Sequence, residues 1–222
     1  MRPRLHSFVL LCAAALTLGA AVAREPTKIE VAERSVLPTE KRYASDATDQ
    51  LSLTLVYFTE GAWPRDAVLV ATRGAVDILK QCRVRVRQLE ILRVTAPREY
   101  QYLDTPLSRE LARTLQLSNP TVYFVTDTRQ QPAFDAEAIG RANSSSRPEL
   151  ADTVWITRAA RDVGVALAHE LVHVLGNSGA HVDLPGNLMR EETSSQNTHL
   201  TPAQCAQLRT AGTENGLLHR QP

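Results

Sequence analysis

From about residue 50 the chain switches repeatedly between two hydrophobic periods. Leu51-Ser52-Leu53-Thr54-Leu55 puts an apolar side chain at every second position and continues through Val56, Tyr57 and Phe58, which predicts a strand. Pro64 stands where the first turn of a helix tolerates proline, and a helix is expected from there to about Lys80. Arg83-Val84-Arg85-Val86-Arg87 returns to period two, valines toward a core and arginines toward water, and the strand runs on to Val94. Those arginines are expected to form a solvated strand face rather than an anion site. A short helix is expected from Ser108 to Leu117, capped by Thr105-Pro106 or Ser108. Thr121 to Thr126 predicts a buried strand, residues 137–142 a short strand or irregular loop, and Asn143 to Pro148 a polar loop. Thr153 to Thr157 predicts the last strand before a helix over Val163–Leu175, closed by Gly176. Strands alternating with helices in this way predict an α/β (α+β) fold with a sheet of about five strands.

Two stretches lie outside the alternation. Met1-Arg2-Pro3-Arg4 is basic, Phe8 to Ala20 is short and apolar, and Ala21-Val22-Ala23 fits an A-x-A cleavage site. The apolar run is shorter than the roughly 20 residues of a spanning helix. Leu11 also precedes Cys12 where a lipoprotein signal needs a small residue. Residues 1–23 are therefore expected to be a cleavable export signal, giving a secreted or periplasmic product without stable membrane insertion. Residues 24–48, with Pro26, Pro38 and a polar run after Thr39, are expected to form an N-terminal arm, leaving 49–222 as one domain.

Composition narrows the function classes. A chain of 222 residues, 43% hydrophobic and 22% charged, is ordinary for one soluble domain. A formal charge of +1, falling to −1 when Arg2 and Arg4 leave with the signal, argues against a nucleic-acid partner. Export leaves Cys82 and Cys205, an even pair expected to form one disulfide in an oxidising compartment, with two buried thiols as the alternative. Neither cysteine has a second Cys or a His near it in sequence, so neither is a candidate nucleophile or metal ligand.

The chemistry concentrates in His169-Glu170-Leu171-Val172-His173-Val174-Leu175-Gly176. The helix carrying it is apolar nearly all round, which predicts burial on most sides. His169 and His173 are one turn apart on one face and can reach the same metal ion. A buried, unpaired carboxylate costs several kcal/mol unless it finds a partner or a proton. A shared Zn2+ ion and its water would resolve both imidazoles and Glu170 together, with Glu170 as the catalytic general base. Catalytic zinc usually takes three protein ligands, so a third is expected soon after Gly176.

In the run His169–Gly176, a nearby downstream histidine and a methionine turn at Asn187-Leu188-Met189, the chain resembles the metzincin zinc metalloproteases. The resemblance implies a metzincin-like twisted mixed sheet with an active-site helix and a C-terminal helix, and a metalloendopeptidase acting on protein or peptide substrates. It implies Met189 as an apolar floor beneath the metal, and a substrate extended along an edge strand, by position Ala138–Ala142. The usual pattern puts its third ligand three residues after the glycine, where this chain has Gly179. His181 lies two residues further on and is the expected third ligand, with Asp183 as its rival. Glu191 and Glu192 would suit a different zinc-peptidase class. Several relatives place a tyrosine after the methionine turn; none follows Met189, and His199 is the only substitute in view, or else an exposed loop residue. No cysteine in the arm can cap the metal and no Asp-x-Asp-x-Asp-Gly calcium loop occurs. A monomer is expected. Two other readings stay open: a non-enzymatic secreted protein with a closed structural zinc site, and a zinc amidase acting on cell-wall peptides.

Overall fold

The computed structural model describes residues 28–38 and 49–220. The expected export signal, the rest of the arm and Cys12 lie outside the described residues. In chain order the strands are β1 (Glu30–Pro38), β2 (Asp49–Phe58), β3 (Val84–Thr95), β4 (Tyr102–Leu103), β5 (Thr121–Phe124), β6 (Asp127–Thr128), β7 (Ala136–Ile139), β8 (Thr153–Ile156) and β9 (Leu218–Arg220). The helices are α1 (Arg65–Leu79), α2 (Thr105–Leu115), α3 (Val163–Gly176) and α4 (Pro202–Glu214). Seven strands form one mixed sheet in the order β1-β3-β2-β5-β8-β7, with β9 pairing the start of β2; β4 and β6 form a separate pair.

The parallel strands β2, β5 and β8 are largely buried on both faces, whereas the first half of their neighbour β3 is partly exposed. Leu51, Leu53 and Leu55 of β2, Val122 and Phe124 of β5, and Val154 and Ile156 of β8 face one core, shared with α1 and α3. The intervening Val56 and Phe58, Tyr123 and Trp155 face a second core that includes Leu111 of α2. Tyr123 and Trp155 stack there with ring centres 4.2 Å apart. Along β2 the period of two is thus a division between two cores, whereas at the start of β3 it divides core from water as expected, with Val84 buried, Arg85 half-buried and Arg87 exposed.

The sheet has seven strands where about five were expected. One addition, β1, pairs antiparallel with β3 and lies in the stretch read as an arm. Its exposed residues alternate too little for a strand pattern to stand out. The other, β9, is three residues long and pairs antiparallel with Asp49–Leu51. The first arginine of the predicted arginine–valine strand leaves the ladder: Arg83 is left-handed, with φ 59°, so β3 begins at Val84. Helix α2 starts earlier than expected, at Thr105, with Asp104 as its flanking residue; Ser108 lies within the first turn, where its Oγ accepts the Asp104 N–H at 3.1 Å.

Helix α3 is packed by α1, α4, β7 and β8, which accounts for its apolar circumference. Gly164 permits close approach to α1, since a Cβ there would lie 3.3 Å from the Ala71 carbonyl and 3.4 Å from the Gly74 Cα. The disulfide between Cys82 and Cys205 joins the end of the α1 segment to α4 across 123 residues of sequence. Among the described residues no helix is long and apolar enough to cross a membrane.

Two predictions concern stability. Closing so long a loop restricts the unfolded chain, so replacing Cys82 and Cys205 together by Ser is expected to lower the unfolding free energy by about 4–5 kcal/mol. Urea unfolding checks this; an unchanged midpoint would contradict it. Arg109 also holds Glu149 by two hydrogen bonds, of 2.8 and 3.0 Å, and that contact lowers the Glu149 carboxyl from 4.5 to about 2. A depressed folded-state value gives stability that is present above the ordinary value and lost as pH falls toward about 2. Glu149→Gln should therefore be less stable than the parent at pH 6, with the difference vanishing near pH 2, as read by unfolding at each pH.

Candidate metal centre

Helix α3 brings His169 and His173 to one face, and the loop after Gly176 returns His181 to them. Asn177 makes that return possible: it adopts the left-handed conformation, φ 45°, that ends the helix. The three Nε2 atoms lie 2.9 Å (His169–His173), 3.2 Å (His169–His181) and 3.2 Å (His173–His181) apart. His169 and His173 are buried and His181 is exposed.

The protons on the two buried rings follow from their other nitrogens. His169 Nδ1 lies 2.7 Å from the Leu188 carbonyl oxygen, and His173 Nδ1 lies 2.6 Å from that of Ser178. A carbonyl oxygen can only accept, so each Nδ1 carries the hydrogen and each Nε2 carries a lone pair. Burial pushes His169 down to about 4, aided by the neighbouring histidines and opposed by its carbonyl bond, and burial likewise lowers His173. The neutral rings thus turn lone pairs toward one another, an arrangement that is repulsive until a cation stands between them. A tetrahedral zinc with Zn–N bonds of about 2.0–2.1 Å sets its nitrogens about 3.3 Å apart, within a few tenths of an ångström of this triangle. The donor set therefore fits a divalent metal of the zinc type.

Glu170 is 8% exposed. Burial pushes its carboxyl up to about 8; the nearby Glu137 raises it further and the Ala138 N–H opposes the rise. A cation beside such a group favours its charged form. Glu170, His169, His173 and His181 all line one cleft of about 910 Å³ between β7 and α3. Gly140, Ala142 and Asn177 also line the cleft, with the Ala142 N–H donating to Asn177 Oδ1 at 3.0 Å, as do the charged Asp135, Arg161, Glu191 and Glu192.

The remaining expected residues fall as follows. Asp183 is outside the imidazole cluster; its side chain is 94% exposed and pairs with Arg190 Nη1 at 2.9 Å. Glu191 and Glu192 are exposed on the cleft wall, also outside the cluster. Among the described residues no fourth His, Cys, Asp or Glu joins the three histidines. Met189 is buried at 3% exposure, and its carbonyl accepts the Val182 N–H at 2.8 Å, which anchors the loop that carries His181. The His199 side chain is exposed, while its main chain braces the turn: its carbonyl accepts from Leu188 N–H at 2.7 Å and its N–H donates to the Gly186 carbonyl at 3.0 Å. The edge strand beside the cleft is β7, Ala136–Ile139, two residues earlier than expected; Gly140 lies beyond its end.

Sequence reading missed the carbonyls of Leu188 and Ser178 and the amide of Ala138, because main-chain groups carry no residue signature. One signal was available: Thr201-Pro202-Ala203-Gln204 has the spacing of a capping box, and the structure forms one there.

The chain matches no known protein-family profile and no curated protein.

Zinc binding should require all three imidazoles. His181→Ala is expected to lower affinity by more than the 10–100-fold typical of outer-shell changes, whereas Asp183→Asn should leave it unaltered. Competition against a chromophoric chelator measures both; equal losses in the two variants would contradict the geometry.

Proposed function

We propose that this protein is a secreted, metzincin-like zinc endopeptidase. The observation that carries the reading is a three-imidazole cluster without a fourth protein donor among the described residues, beside a buried glutamate, on a cleft bordered by an antiparallel edge strand. A structural zinc would call for a fourth protein ligand, and the nearest acid in sequence, Asp183, is engaged with Arg190 instead. The disulfide accords with export to an oxidising compartment.

His169, His173 and His181 would hold the ion. When bound, it supplies a Lewis acid that polarises a peptide carbonyl and acidifies water. The protein's own groups do the rest. Glu170 takes a proton from the attacking water on its carboxylate and returns it to the leaving amine nitrogen, so its hydrophobic seat and the opposing Ala138 N–H set how readily it exchanges that proton. Burial keeps His169 and His173 neutral, and the carbonyls of Leu188 and Ser178 hold the ring hydrogen on Nδ1, so that Nε2 is free. As the last strand of the sheet, β7 would offer its outer edge to an extended peptide, which would exchange with the bonds that Ala138 makes there, its N–H to Glu170 and its carbonyl from Asn143 Nδ2 at 3.3 Å. On this reading the partner is a protein or peptide substrate and the protein works as a monomer.

Exchange of Glu170 for Gln separates this function from the alternatives. Zinc content should stay at one ion per chain while hydrolysis of a mixed peptide library falls by about 10²–10⁴-fold. Undiminished hydrolysis in Glu170→Gln would contradict the role. Turnover of cell-wall peptides alone would favour an amidase, and zinc binding with no hydrolysis in the parent protein would favour a structural site.

A further inference from the structure

Taking the three histidines as a metal site, we infer that Gln204 of α4 is a positioning residue for His169, acting through Asn187 and the Leu188 carbonyl. The two carboxamides face each other and exchange hydrogen bonds. Asn187 Nδ2 donates to Gln204 Oε1 at 2.9 Å, and Gln204 Nε2 donates to Asn187 Oδ1 at 3.1 Å. Each oxygen takes a second donor: Asn187 Oδ1 accepts the Met189 N–H at 2.9 Å, and Gln204 Oε1 accepts the Thr201 N–H at 2.8 Å. Asn187 is 1% exposed, so its end of the exchange and its bond from the Met189 N–H are shielded from competing water. Together they fix the backbone on both flanks of Leu188 and leave its carbonyl directed at His169 Nδ1.

The two buried imidazoles differ in how they obtain their carbonyl. His173 takes it from Ser178, five residues away in sequence at the end of its own helix. His169 takes it from Leu188, 19 residues downstream in a turn that α3 does not control. That turn is held to α4 by the Asn187–Gln204 pair, and α4 is held in turn by its capping box and by the disulfide at Cys205. If the Leu188 carbonyl drifts, the His169 hydrogen is free to move to Nε2, and the cluster loses one of its three lone pairs.

Gln204→Glu tests the coupling apart from helix capping. The glutamate still accepts the Thr201 N–H, and its backbone N–H still donates to Thr201 Oγ1, so the cap of α4 survives. Its second carboxylate oxygen, however, confronts Asn187 Oδ1, acceptor against acceptor. Asn187→Asp introduces the same mismatch from the other side. Ring 15N shifts of the metal-free protein report which nitrogen of each histidine carries hydrogen, and chelator competition reports zinc affinity. In both variants His169 should depart from the pure Nδ1–H form while His173 does not, and zinc affinity should fall by about 10–100-fold. Folded variants with unchanged His169 shifts and affinity would overturn the inference, as would equal disturbance of both histidines or failure of both variants to fold, since the pair would then act on the fold as a whole. If the parent protein binds no zinc, the reading of the site fails, and the ring shifts of the metal-free protein still decide this coupling.

Discussion

Two buried imidazoles turn lone-pair nitrogens toward each other 2.9 Å apart, with His181 Nε2 3.2 Å from both, and a cation between the three relieves that arrangement. The rest of the site follows from it. The carbonyls of Leu188 and Ser178 fix the hydrogens on the outer nitrogens, and burial keeps both inner rings neutral. Two ligand segments depend on the same short turn: Leu188 accepts from His169, and Met189 accepts from Val182, next to His181. The turn at 187–189 is therefore the place where the helix and the returning loop are brought into register.

The fold supplies this turn with a rigid frame. Helix α3 is enclosed by α1, α4, β7 and β8, so its polar residues can face only the cleft. Helix α4 is fastened to the end of the α1 segment by the disulfide and by Gln81, whose side chain accepts from the Leu200 N–H and donates to the Thr198 and Ile78 carbonyls. Leu200 immediately follows His199, which brackets the turn through two main-chain bonds. Packing, covalent linkage and hydrogen bonding thus converge on a few residues beneath the histidines. The opposite wall is the edge strand β7, whose Ala136, Glu137 and Ala138 are half-buried.

Much of this was legible in the chain itself. His169, Glu170 and His173 stand out because a nearly all-apolar helix contains three polar residues on adjoining positions, and buried polar groups demand a shared partner. The central strands were legible because runs such as Leu51–Phe58 and Thr121–Thr126 are apolar and β-prone. β1 was not, since a mostly exposed edge strand needs no hydrophobic alternation and is selected by pairing with β3. His181 could be favoured over Asp183 only through zinc chemistry and resemblance, because the loop conformation that separates them rests on the left-handed Asn177 and on the Arg190–Asp183 ion pair. The carbonyls that orient the imidazoles were beyond reach, as any residue type can supply one.

X-ray absorption at the zinc edge of the purified, zinc-loaded protein addresses the central claim most directly. Three imidazole nitrogens at about 2.0–2.1 Å, with one further light-atom donor that exchanges with added small ligands, is the predicted first coordination sphere. A sphere closed by four protein groups, one with fewer than three imidazoles, or a protein that retains no divalent metal would contradict it.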